Sequence, residues 1–308
     1  MVELKLELPQ SFFQEEVRVG YLVSAKAKEL WAVQLDLLNE FDHVCKKYNL
    51  KYILDFGTLL GAVRHKGFIP WDDDLDISML REDYDKLMEI GPKEFSHPYF
   101  LQNNKTDKGF DSSVAKLRRS DTTFLEIENL KHKSRYNQGI FIDIFVWDNS
   151  PTNDKNFVAS INQKTYEAFL HRFVLLHRPS LHDGIKLPLT TLRYLHYKFV
   201  YGSPEREYQR LYAMATQFEK SDYVSNLMFY KSECRLRKWH EETMDIAFEG
   251  LMFPVPVDYD ALLKDCYGDY MIPIQGTSDH VMVFYDASQS YDVVLREHGF
   301  KLKNYSME

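Results

Sequence analysis

Cysteine is scarce in this chain: Cys45, Cys234 and Cys266 are the three in 308 residues. They lie far apart and form no C-x-x-C pair, which argues against a zinc site or a disulfide framework and suits a reducing compartment. Long uncharged apolar runs are missing, so no segment reads as a membrane span. The opening MVELKLELPQ lacks the basic-then-apolar order of a signal peptide. Positive charge is not in excess either: the net charge of -8 argues against a nucleic-acid binder driven by overall charge. There is no G-x-x-x-x-G-K-[ST] and no G-x-G-x-x-G, which weakens kinase, P-loop and Rossmann readings. There is also no H-E-x-x-H and no G-x-S-x-G, which disfavours zinc proteases and serine hydrolases. No internal repeat or low-complexity linker divides the chain. What is left is a cytoplasmic globular protein, at most peripheral to the inner face of a membrane.

The most informative stretch runs from Tyr52 to Tyr84. Tyr52 to Phe56 is an apolar run of strand length. Gly57 breaks it, and Thr58 is placed to cap a helix through Leu59, Leu60, Ala62 and Val63. A second break, Gly67 to Pro70, leads into Trp71-Asp72-Asp73-Asp74-Leu75-Asp76-Ile77. In a strand, Asp74 and Asp76 share a face while Leu75 and Ile77 go to the core. Two carboxylates side by side repel unless a cation sits between them, and a hard divalent metal suits such a pair. A solvated acidic loop is the plainer reading, but the run is bracketed by Trp71, Leu75, Ile77 and Met79. An EF-hand is disfavoured because the sixth position from Asp72 is Ile77, where that loop needs Gly.

The rest of the chain supplies context. Val2, Leu4, Leu6 and Leu8 alternate with Glu3, Lys5 and Glu7 as in a half-buried strand. Ser24 opens an amphipathic helix to about Tyr48, with Leu30, Leu37, Phe41 and Val44 inward. A helix over Arg81–Ile90 is expected to end at Gly91-Pro92. Ser112 to Glu128 is strand-like, with Lys116 and Arg118 on one face. In the apolar strand run from Gly139 to Asp148, Asp143 stands alone; burial requires a partner, either a buried Arg or a metal shared with Asp74 and Asp76. Residues 151–245 have helical spacing and few strand signals. After Phe253-Pro254-Val255-Pro256 come a helix from Asp258 to about Tyr267, stopped by Gly268, and an irregular end containing His280. The expected organisation is a core over 1–150, a mainly helical variable region over 151–245 and a closing segment over 246–308 that packs back on the core.

Three carboxylates, two on one strand and one on another, are a set that positions Mg²⁺ (or Mn²⁺) for phosphoryl transfer. Gly57 and Thr58, between strand and helix, offer backbone amides to a phosphate. The run GTLLGAVRHKGFIPWDDDLDISMLREDY resembles the signature of the LicD family of phosphotransferases. GIFIDIF around Asp143 and the segment from Tyr267 to Pro273 followed by His280 resemble it as well. The resemblance covers most of residues 25–148 and 248–280. It implies an α+β fold of the nucleotidyltransferase type, a mixed sheet flanked by helices, with a mainly helical second half. It implies transfer of phosphocholine or a related phospho-alcohol from a donor such as CDP-choline to a sugar hydroxyl. The acceptor would be a polyprenyl-linked or oligosaccharide precursor of teichoic acid or lipopolysaccharide. By position, Asp74 and Asp76 match the family's metal-binding pair and Asp143 the third carboxylate, so these three are the candidate catalytic and metal residues. Asp143 or Asp73 is the candidate base.

Arg64, Lys116 and Arg118 are candidate phosphate contacts or ordinary charges, and His280 a substrate contact or a structural residue. Choline's quaternary ammonium is held by aromatic faces; Trp71, Tyr136, Trp147 and Trp239 are candidates for such a cage, or else core residues. Two other readings stay open: a nucleotidyltransferase that releases pyrophosphate, and a non-catalytic adaptor in surface-polymer assembly.

Overall fold

In chain order, the computed structural model has a hairpin of β1 (Glu16–Arg18) and β2 (Tyr21–Val23), then α1 (Ala25–Tyr48), β3 (Ile53–Leu54) and α2 (Phe56–His65). β4 (Asp76–Leu80), α3 (Arg81–Glu94), β5 (Tyr99–Gln102), β6 (Ala115–Arg119), β7 (Thr123–Glu126), α4 (Ile127–His132) and the long β8 (Ile140–Ser150) follow. Three helices come next, α5 (Lys155–Leu176), α6 (Leu187–Tyr201) and α7 (Pro204–Ala215). The chain continues through β9 (Tyr223–Ser225), β10 (Cys234–Leu236), α8 (Lys238–Glu241), β11 (Thr243–Phe248) and β12 (Leu251–Pro256). α9 (Tyr259–Tyr267), β13 (Met282–Asp286) and α10 (Tyr291–His298) complete it. The structure describes residues 1–179, 181–228, 233–276 and 282–299. The fold is α+β, a mixed sheet flanked by helices.

The chain forms two compact units, one of residues 1–102, 115–145 and 238–308, the other of 103–114 and 146–237. In the first, the strand order is β3-β4-β8-β6-β5, with β3 antiparallel to β4, β6 to β8 and β5 to β6. α1 lies on this core and buries Leu30, Trp31, Leu37, Phe41 and Val44. The Ser24 hydroxyl accepts from the Ala27 amide at 3.1 Å, the expected N-cap, and Asn49 closes the helix in the left-handed region at φ 51°. In the second unit the end of β8 pairs with β9, which pairs with β10, and α5 packs along α7.

Several sequence expectations need correction. Residues 2–8 keep the alternating half-exposed pattern but form no strand. Their backbone is tied elsewhere, Val2 N to Ala287 O at 2.6 Å and Leu6 N to Asp36 Oδ1 at 2.9 Å, so the alternation has no ladder beside it. α3 does not end at Gly91-Pro92 but runs to Glu94. A Cβ at Gly91 would fall 2.3 Å from Leu101 Cδ2, so this glycine serves helix-to-sheet packing rather than a stop. The stretch after 151 is mainly helical as expected, in α5, α6 and α7, with the short β9, β10 and the start of β11 added, whereas the end expected to be irregular contains β13, paired with β7, and α10.

Candidate active site

α2 begins one residue earlier than the glycine break suggests. Asp55, not Thr58, is its N-cap and accepts from the Phe56 amide at 2.7 Å. Phe56 takes a positive φ of 45°, a costly conformation for a bulky residue, with its ring 4.8 Å from that of Phe145. Thr58 is instead a strut. Its buried Oγ1 accepts from the Asp76 amide at 2.8 Å, while the Asp55 amide donates to Asp76 O at 3.1 Å. The start of β4 is thereby fixed to the start of α2 on both sides.

β4 starts at Asp76, so Asp74 lies in the loop before it, and the expected two-apart pair on one strand is not formed. α1 holds that loop from behind: Trp31 Nε1 donates to Asp72 O at 3.2 Å, and Gln34 Nε2 to Asp73 O at 2.8 Å. Trp31 is itself locked by stacking on Phe68, with ring centroids 4.7 Å apart. The result is a convergence of carboxylates: among the described residues, Asp72, Asp73 and Asp74 each offer an oxygen within 4.8 Å of the others. Burial pushes the Asp72 carboxyl well above its ordinary pKa, and the charge and hydrogen bond of Asp74 push it further. Oxygens this close, one of them on a carboxyl of raised pKa, fit a hard divalent cation, which would supply their counter-charge.

Asp76 and Asp143 are brought together by backbone. Both are buried, and the Asp143 amide donates to Leu75 O at 2.9 Å, so β8 carries Asp143 alongside the start of β4. Asp143 is paired in register with Lys116, whose Nζ lies 2.5 Å from its Oδ1 and 3.6 Å from the Phe141 ring centroid. The expected buried partner is therefore present, as a lysine rather than an arginine. Arg118 is 1% exposed; its Nε donates to Gln102 Oε1 at 2.5 Å and its Nη1 to Gly139 O at 2.6 Å. Both cations are sheet-interior groups engaged by protein partners.

Beside Asp72 opens a cleft of about 270 Å³, lined in part by Gly57, Arg64, Trp71, Tyr267 and Tyr270. Gly57 has a steric reason to be there: a Cβ at this position would lie 2.9 Å from Asp72 Oδ2. Arg64 lines the cleft and donates from Nη1 to Tyr270 O at 2.9 Å, holding the segment after α9 over it. Its Nε donates to His65 Nε2 at 2.9 Å, and burial lowers the pKa of both side chains, His65 to about 4. Of the aromatic residues expected from sequence, Trp71 lines the cleft, while Tyr136, Trp147 and Trp239 are buried elsewhere in the fold. Tyr267 and Tyr270 also line the cleft, and both belong to the segment from Tyr267 to Pro273. Period-two spacing marks Asp74 and Asp76 but not Asp72. His280 lies outside the described residues.

Residues 49–180 match the family model LicD/FKTN/FKRP, nucleotidyltransferase domain. The chain is 25% identical, over 79% of its length and 91% of the relative's, to the lipopolysaccharide cholinephosphotransferase LicD of Haemophilus influenzae. Uncharacterized proteins of Rickettsia typhi and Rickettsia prowazekii are 44% and 42% identical over 22% and 26% of the chain, and over 22% and 28% of their own lengths. The acidic loop, α2, β4 and Asp143 all fall inside the matched domain.

Proposed function

We propose that this protein transfers phosphocholine from a cytidine diphosphate-linked donor to a sugar hydroxyl of a lipopolysaccharide-type acceptor. The observation that carries this reading is the similarity to a lipopolysaccharide cholinephosphotransferase over four-fifths of the chain. The convergent carboxylates beside an aromatic-lined cleft agree with it. Trp71, Tyr267 and Tyr270 offer ring faces to a quaternary ammonium, which has no hydrogen-bond donor of its own. Arg64, at the same cleft, offers its guanidinium to phosphate oxygens.

A divalent cation, Mg²⁺ or Mn²⁺, would be held at the acidic loop, with Asp74 common to two possible ligand sets. One set, implied by the family resemblance, adds Asp76 and Asp143; the other adds Asp72 and Asp73, whose oxygens converge with that of Asp74. When bound, the cation supplies positive charge for the donor diphosphate. The protein's own part is to hold the loop from α1, to exclude water with the segment carried by Arg64, and to keep a carboxylate ready for the acceptor hydroxyl proton. Asp143, paired with Lys116, and Asp73 are the candidates for that proton. Asp74→Asn is expected to abolish transfer under either ligand set. Asp72→Asn and Asp76→Asn distinguish the sets, since each removes a metal ligand from only one of them.

Contact with an anionic membrane surface belongs to the same proposal. α6 buries none of its residues, and Leu189, Leu192 and Phe199 are 70%, 66% and 92% exposed, with Lys186 and Arg193 as basic residues of the same stretch. That pairing of apolar and basic side chains suits a headgroup layer.

The description of the matched domain as a nucleotidyltransferase favours a second reading, transfer of a nucleoside monophosphate. Parallel incubations with CDP-choline or a nucleoside triphosphate, each with Mg²⁺ and a panel of lipopolysaccharide and teichoic-acid precursors, read by mass spectrometry, separate the two. Phosphocholine on the acceptor with CMP release supports the proposal. Pyrophosphate release from a nucleoside triphosphate, with nucleotide on the acceptor, overturns it.

A further inference from the structure

The second unit contains a cavity of about 480 Å³ that shares no residue with the cleft beside Asp72. Its wall gathers Lys105 and Lys108 from the 103–114 loop, Arg172 from α5, Arg178 just beyond it and Lys198 from α6, against one carboxylate, Glu205. Among the described residues, none of these five cations has a carboxylate oxygen within 4.0 Å. In a chain of net charge -8, five cations gathered around one concave surface are not a by-product of composition.

Arg172 is the buried member, 5% exposed; its Nη2 donates to Phe110 O, and its guanidinium lies 5.9 Å from the Tyr208 ring centroid. Burial lowers its pKa to about 10, with the charges of Asp111 and Glu205 opposing the shift, so it stays protonated at neutral pH. A buried guanidinium with a single carbonyl partner keeps donors and charge that an oxyanion would satisfy. The start of α7, Ser203 and Pro204, lines the same wall and adds the positive end of a helix. Tyr194 and Lys198, four apart on α6, face the cavity, whereas Leu189, Leu192 and Phe199 fall on the opposite side of that helix. A quaternary ammonium is repelled here, so the cargo of the transfer reaction is not what this cavity holds.

We propose that this cavity binds the phosphate or diphosphate group of a phosphorylated, glycan-bearing acceptor. Identifying the ligand as the acceptor rests on the phosphocholine-transfer reading; the anion site itself does not. Several separate cations around one space match a multiply charged oxyanion better than a single carboxylate.

The test is calorimetric titration of the full chain with inorganic pyrophosphate in metal-free buffer. Saturable binding is expected, weakened by roughly tenfold or more in Lys105→Ala/Lys198→Ala, the loss of charge-assisted contacts. Both lysines are exposed, so the melting temperature of that variant should match the parent's. Arg172→Lys, which keeps the charge but not the planar fork, should weaken binding with less disturbance than truncation. A flat titration at millimolar pyrophosphate, or unchanged affinity in the double lysine variant, overturns the site. Equal binding of glucuronate overturns its assignment to phosphate. Glucose 1-phosphate and a short-chain phosphatidate then distinguish the source: tighter binding of the lipid marks a lipid-linked phosphate, tighter binding of the sugar a soluble one. The titration needs no turnover, so failure of the anion site and failure of the transfer reaction are read independently.

Discussion

Arg118 and Lys116 share a strand face, as their spacing predicts, but burial gives that face a different use. Arg118→Ala would leave Gln102 Oε1 and Gly139 O without their donors inside the sheet. We expect it to destabilise the protein by about 3 kcal/mol or more, since hydrogen bonds from a charged group contribute about 1.5–3 kcal/mol each. Urea denaturation measures this, and a stability within error of the parent would contradict it. Gly57 behaves in the opposite way. Alanine suits a helix better than glycine, so Gly57→Ala should melt no lower than the parent. Its Cβ would displace the Asp72 carboxylate, however, and transfer should fall by about tenfold to a hundredfold, the scale of misplacing a reacting group. Steady-state kinetics on the folded variant check this.

His65 gives a pH dependence. Its folded pKa, about 4, lies below the ordinary value of 6.5 because of burial and the positive charges of Arg64 and Arg18. The unfolded chain therefore binds the proton first as pH falls, and stability is lost between about 6.5 and 4. Melting temperatures across that window should fall less steeply in His65→Gln. At this scale the sequence marked the acidic run, but not the arrangement of carboxylates within it. Asp143 announced its need for a partner by standing alone in an apolar strand. Nothing in the spacing of Asp72 revealed that α1 would turn it toward Asp74, because that depends on Trp31 and Gln34, some 40 residues away in sequence.

Among the elements, those with strong local signals were legible. Ser24 and the apolar face after it define α1, and Gly268 stops α9. The failures have one physical origin, since a local pattern does not say what lies next to it. Residues 2–8 alternate like a strand but have no ladder partner, and Gly91-Pro92 reads as a stop yet fits inside a helix packed on Leu101. α6 raises the same question from the outside, because its pattern suits a packed helix or a surface one equally. With none of its residues buried, the protein should float with anionic vesicles at low salt. Leu192→Glu/Phe199→Glu should abolish flotation while leaving the circular dichroism spectrum unchanged. Absence of flotation by the parent protein would rule out the membrane contact.

On the scale of the whole molecule, the chain returns to the first unit after residue 237, and no composition change marks the excursion at 103–114. Long-range contacts decide those borders, and a single sequence does not display them. What the sequence did display is a concentration of acid in one loop, and a metal bound there would couple to the stability of the fold. The carboxylates of Asp72, Asp73 and Asp74 crowd together against their own repulsion, so without a cation the native state carries a cost that the unfolded chain relieves. A cation that binds only the folded protein should raise its stability by about 2.7 kcal/mol at a hundredfold excess over its dissociation constant. We therefore expect Mn²⁺ or Mg²⁺ to raise the melting temperature of the parent protein. Asp74→Asn should melt higher than the parent in metal-free buffer and gain little from added metal, because the substitution removes both the repulsion and a ligand. If Asp74→Asn gains as much as the parent on addition of Mn²⁺, the cation does not sit at this loop, and the ligand sets built on Asp74 fail together.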